Sequence, residues 1–158
     1  MSSNAGERDV ARRMGFGRPR PRLPLQSEIE SNGSPQALLD KLGVRSGMQA
    51  AFVGVTDPHL TPLRWHSPVR MSATAPPHPV DVVVYQAEST FALRRVRELA
   101  PYVKQGGALW VLWPRDQGHI TEGHVQRSGA AADLIDVVAV GISDRLAGLK
   151  FVHRRRER

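Results

Sequence analysis

The stretch 80–113 constrains the fold more than any other part of this chain. It reads VDVVVY, then an amphipathic segment, then PYVKQGGALWVLW. A strand buried on both faces reads as a near-continuous apolar run, whereas a strand with one wet face alternates. Two such runs joined by a segment of helical spacing form a β-α-β unit, with its strands parallel in one sheet.

The rest of the chain extends this pattern. Ser34 and Pro35 read as an N-cap followed by proline at the first helical position. Ala37, Leu38, Leu39 and Leu42 supply an apolar face and Gly43 a left-handed stop, so a helix is predicted over 35–42. The run MQAAFVGV predicts a strand over 48–55, with small residues that allow close packing. Residues 56–79 then hold six of the chain's 12 prolines. Proline has no amide donor and blocks helix interiors and central strands. A long irregular crossover is expected there, with room for one short edge strand near 67–72.

A buried strand follows over 80–85, with Asp81 at its start. Glu88, Ser89 and Thr90 cap the next helix, whose apolar face is Phe91, Leu93, Val96, Leu99 and Ala100, and Pro101 closes it. Gly106 and Gly107 turn the chain into a strand over 108–113. A second helix over 121–134 turns Val125, Ala132 and Leu134 inward, weakened by Gly123 and Gly129. A strand over 135–142, a turn over 143–148 and a strand over 149–153 close the chain as an antiparallel hairpin. The fold class is therefore α/β: a compact, Rossmann-like, mostly parallel sheet of about five strands with a C-terminal hairpin.

At 158 residues the chain fits one domain, expected at 27–153 between tails at 1–26 and 154–158. The absence of cysteine excludes disulfides, thiolate nucleophiles and cysteine-ligated metals, and suits a cytoplasmic protein. No apolar run reaches membrane-spanning length, and no secretory signal follows the basic start. The net charge of +7 is concentrated at the ends. Residues 1–22 and 150–158 each carry +4, so 23–149 carries −1. Arginine-rich ends of this kind solubilise a chain or make weak contacts with nucleic acid. They lack the interleaved aromatics used for base stacking, which favours the solubilising role.

The stretch VDVVVY…LAPYVKQGGALWVLWP resembles the second half of Rossmann-like S-adenosylmethionine-dependent methyltransferases, and VVAVGISDRLAGLKFV looks like that fold's terminal hairpin. Residues 38–152 also resemble a small family of bacterial proteins of unknown function, which carry LGV-x-x-G before the first strand and GGALWV-x-x-P in a later one. The methyltransferase resemblance implies a glycine-rich turn after the first strand, approaching the methionine moiety of the cofactor. It also implies an acid after the second strand, for the ribose hydroxyls. Here the first place reads FVGVTDPHL with the single Gly54, and the crossover leaves no clear room for full second and third strands with their helices.

Ligands of such sheets bind beyond the carboxyl ends of the strands. The candidate site residues are therefore Gly54, Thr56 and Asp57, then Gln86, Glu88 and Ser89, then Trp113, Arg115 and Asp116. Arg115 suits a carboxylate or phosphate, while Asp57 and Glu88 suit hydroxyls. The same residue types also serve as caps and turn residues. His119, Glu122 and His124 have the wrong spacing for a zinc helix, which needs its histidines four apart on one face. No catalytic residue and no metal ligand is assigned. The favoured reading is a non-catalytic binding or interaction module with no cofactor, taking a small ligand or a protein partner and compatible with a homodimer through Trp65. The alternatives are a methyltransferase with an atypical turn, using S-adenosylmethionine, and nucleic-acid association through the tails.

Overall fold

A computed structural model of the chain describes residues 34–66 and 69–154. The N-terminal tail 1–26 and most of the C-terminal one lie outside the described residues. Helix α1 (Pro35–Leu42) leads to strand β1 (Ala50–Val53), a 3-10 turn (Thr61–Trp65) and β2 (Val69–Ser72). Strand β3 (Val80–Gln86) is followed by a 3-10 turn (Phe91–Arg94), helix α2 (Arg95–Leu99) and another 3-10 turn (Ala100–Tyr102). Then come β4 (Val103–Pro114), α3 (Glu122–Ala131), β5 (Leu134–Gly141) and β6 (Leu146–His153).

The six strands form one sheet in the order β2-β1-β3-β4-β6-β5. The first four are parallel, and β6 runs antiparallel to both β4 and β5. The sheet holds the five expected strands and, at its edge, the short strand for which the crossover left room: Val69–Ser72 pairs with all of β1. It fits because the proline-rich stretch bends into a 3-10 turn instead of a helix, and Pro62 enters that turn where a missing N–H costs nothing.

Three expectations are corrected. Gly106 and Gly107 do not end a loop: they lie inside β4, beside a register shift against Val80 and Val82. The closing hairpin turn is shorter than 143–148, because β6 already starts at Leu146. Phe91 is not part of the apolar face. It is 72% exposed, and the Arg94 guanidinium stacks over its ring at 4.9 Å. The segment after β3 opens as a 3-10 turn, which rotates Phe91 away from the line of Leu93, Val96 and Leu99.

Helix α1 places Leu38, Leu39 and Leu42 against Phe52, Val82, Val84, Trp110 and Leu112 on one sheet face. The Trp110 Nε1–H donates to the Leu42 carbonyl at 2.9 Å, satisfying one of the acceptors that a helix end leaves open. On the other face α3 presses on β6: a side chain at Gly129 would begin 2.0 Å from the Phe151 ring. A reciprocal cap starts α3, in which Thr121 Oγ1 accepts from the His124 N–H and His124 Nδ1 accepts from the Thr121 N–H. Among the described residues no helix is long and apolar enough to cross a membrane.

Candidate functional site

The carboxyl ends of β1 and β3 bring five of the sequence-derived residues together, with Gln86 as the hub. It is the last residue of β3 and only 7% exposed. Its Oε1 accepts from the Thr56 N–H at 3.0 Å and from the Asp57 N–H at 3.2 Å. Its Nε2 donates to Thr56 Oγ1 at 3.3 Å and to the Glu88 carboxylate. One side-chain amide thus ties the loop after β1 to the end of β3 and uses both of its polar atoms.

Gly54 starts that loop in the left-handed region, at φ 66°, a conformation glycine adopts without steric cost. Its N–H donates to the Ser72 carbonyl at 2.9 Å, so the chain leaves β1 still bonded to β2. Asp57 is 6% exposed and serves the loop itself. Its Oδ1 accepts from the His59 N–H at 2.8 Å, and its carbonyl accepts from Leu60 and Thr61. This is the Asx-turn chemistry that aspartate performs before a 3-10 turn. Tyr85 lies beneath Gly54, its hydroxyl donating to the Ala92 carbonyl at 2.8 Å. Burial raises its pKa above the usual tyrosine value, partly offset by Arg95.

Trp113 and Arg115 do not join this cluster. Alternation along β4 sends Trp113 to the opposite sheet face from Trp110 and Leu112, where it is buried. Arg115 turns toward the β5–β6 hairpin, its backbone N–H donating to the Arg145 carbonyl at 2.9 Å and its Nε to the Asp144 carbonyl at 3.4 Å. Ser89 caps the following turn, its Oγ accepting from the Ala92 N–H at 3.0 Å. His119 Nε2 donates to the Glu88 carbonyl at 3.0 Å. Its partner in the suspected metal spacing, His124, is the cap of α3. Sequence reading overlooked the roles of His119 and of Lys41, whose Nζ donates to the Gly141 carbonyl at 2.9 Å, because a loop histidine and a lysine in a helix's last turn carry no local signal for the distant carbonyls they reach.

A cavity of about 210 Å³ lies at the other end of the sheet, where β4 begins and β6 ends. Its lining includes Arg97, Pro101, Gln105, Asp133 and His153. His153 Nε2 donates to the Val103 carbonyl at 2.7 Å, and the Asp133 carboxylate pairs with Arg154 at 3.0 Å. This end faces away from the strand ends where open α/β sheets hold their ligands, so the Gln86 cluster remains the candidate site.

No family model matches the chain, and no curated protein does. Solved structures do. The chain is similar to the magnesium protoporphyrin IX methyltransferase of Synechocystis PCC 6803 with bound SAM, with a TM-score of 0.56 at 12% identity over 93% of this chain and 95% of that one. It is also similar to the ribosomal protein L11 methylase of Lactobacillus delbrueckii subsp. bulgaricus, with a TM-score of 0.53 at 10% identity over 84% of this chain and 81% of that one. A SAM-dependent methyltransferase from Aquifex aeolicus gives a TM-score of 0.51 at 16% identity over 82% and 98%. The domain therefore has a methyltransferase-type α/β fold.

The crest departs in two places from the features that the methyltransferase resemblance implies. The loop after β1 has one glycine in place of a glycine-rich turn. Strand β2 ends at Ser72, followed by Ala73 and Thr74, with no acid for ribose hydroxyls. The two amides that the β1 loop directs across to β3 are already capped by Gln86.

Proposed function

We propose that this domain is a non-catalytic binding or interaction module built on a methyltransferase-type scaffold. The observation that carries the reading is the position of Gln86. A side-chain oxygen of the protein accepts from both the Thr56 and the Asp57 N–H groups, so neither is left open to a ligand. Bound in this way, the loop is satisfied without a ligand, and the absence of an acid after β2 removes the second anchor.

Calorimetric titration of the full chain with S-adenosylmethionine tests this. The expected result is no saturable heat. Saturable micromolar binding overturns the reading. The second reading, an active methyltransferase with an atypical turn, is favoured by the fold shared with the SAM-bound Synechocystis enzyme. It predicts saturable binding that is lost in Gly54→Val, since valine cannot hold the left-handed conformation at that position without strain.

A further inference from the structure

Two cations converge on the end of β5, at the carboxyl-end side of the sheet. Lys41 in the last turn of α1 donates from Nζ to the Gly141 carbonyl at 2.9 Å. Arg115, just beyond β4, lies over the same residue: a Cβ built on Gly141 would sit 3.0 Å from Nη1 and 3.5 Å from Nη2. Backbone contacts hold Arg115 there, through its own N–H to the Arg145 carbonyl and its Nε to the Asp144 carbonyl.

Neither cation has a carboxylate within ion-pair distance among the described residues. Asp116, next in sequence to Arg115, is exposed and forms no ion pair with it among the described residues, and the other neighbouring acids are met in other ways. Asp40 Oδ1 accepts from Gln36 Nε2 at 3.0 Å, and Asp144 meets Arg115 through its carbonyl. Two ammonium protons of Lys41 and four Nη–H groups of Arg115 therefore have no acceptor among the described residues. Lys41 is half-buried, and its pKa is lowered first by that burial and then by Arg115. Like charges held together without a counterion favour an anion that bridges them.

We propose that Lys41 and Arg115 form a binding site for a phosphoryl group beside Gly141. Arginine supplies a planar fork matched to phosphate oxygens, and lysine supplies a compact point charge. A phosphate of nearly two negative charges balances the pair better than a carboxylate of one. The site lies at the carboxyl ends of β4 and β5, the end of an α/β sheet that takes ligands. Gly141 on β5 lies three strands from Gln86 on β3, so the site stands whether or not the Gln86 cluster admits a cofactor.

The test is an NMR titration of the full chain with inorganic phosphate at constant ionic strength, reading the amides of Gly141, Asp144 and Arg145. A saturable shift is expected, with affinity at least about tenfold weaker in Arg115→Gln and in Lys41→Gln, the loss of one charge-assisted contact each. Arg97→Gln, at the far end of the sheet, leaves it unchanged. A parallel titration with methyl phosphate identifies the source: tighter binding of the ester assigns a phosphorylated small molecule, and tighter binding of inorganic phosphate assigns the free ion. Acetate binding as tightly as phosphate overturns the proposal, as do shifts that never saturate or that survive both glutamine exchanges. Should a glutamine variant fail to fold, Arg115→Lys keeps the charge and removes the fork. Affinity weakened about tenfold supports the site, and unchanged affinity overturns it.

Discussion

Replacing Gln86 with leucine keeps the side-chain volume close to native and removes all four hydrogen bonds that its amide makes at the crest. Oε1 satisfies the Thr56 and Asp57 N–H groups, of which Asp57 is the more deeply buried. Leaving a buried donor unsatisfied costs about 1–3 kcal/mol, and a donor that water can reach costs less. The Nε2 contacts involve the exposed Glu88 and the hydroxyl of Thr56, so about 1 kcal/mol or less is lost there. The sum is about 3 kcal/mol. In a chain of this size each kcal/mol moves Tm by about 2–4 °C, so the variant should melt about 6–12 °C below the parent. Urea unfolding gives the free energy directly, with an unchanged slope if only the native state is affected. Glu88→Gln keeps a hydrogen-bond acceptor on an exposed side chain and should cost under about 1 kcal/mol. A loss of less than about 1 kcal/mol in Gln86→Leu would refute the claim that this amide holds the loop after β1.

Further predictions concern the packing and the buried polar groups. Gly129→Ala gains about 1 kcal/mol in helix propensity but drives its methyl into the buried Phe151 ring, so a net loss of about 2 kcal/mol is expected by chemical denaturation, partly recovered in the double variant with Phe151→Leu. Trp110→Phe removes the donor to the Leu42 carbonyl and leaves a void, at a cost of about 3 kcal/mol by the same measurement. Tyr85 holds its proton in the folded state above pH 10.0, where the unfolded chain releases it. Its contribution to stability is therefore complete below that pH and lost as pH rises through the folded pKa, so Tyr85→Phe should flatten the fall of Tm above about pH 10.

The local chemistry of the chain was sufficient for most elements. Apolar runs longer than a half-exposed strand permits marked β3 and β4, and Ser34-Pro35 with Gly43 marked α1. The parallel order followed from alternation of the two kinds of element, and the hairpin from its short turn. Even the grouping of Gly54, Thr56, Asp57, Gln86 and Glu88 was legible, because strand ends of a parallel sheet must lie on one side. Their bonding was not, since which side-chain atom satisfies which distant N–H depends on the register of β1 against β3.

Other features belong to the tertiary structure alone. The sequence left room for a short edge strand near 67–72, and Val69–Ser72 becomes one because β1 presents an unpaired edge to it. Phe91 looked like core because spacing assumes an α-helix, while the 3-10 turn that forms follows a different period. Gly129 reads as a weak point in a helix until Phe151 is packed against it. Arg115 reads in sequence as a contact for a carboxylate or phosphate and Lys41 only as the end of a helix, and only the sheet order that places β5 brings their charges together on Gly141. Period and propensity are local quantities that a sequence carries in full. Contacts between distant segments are decided by how the sheet closes, and this chain's candidate chemistry is written entirely in such contacts.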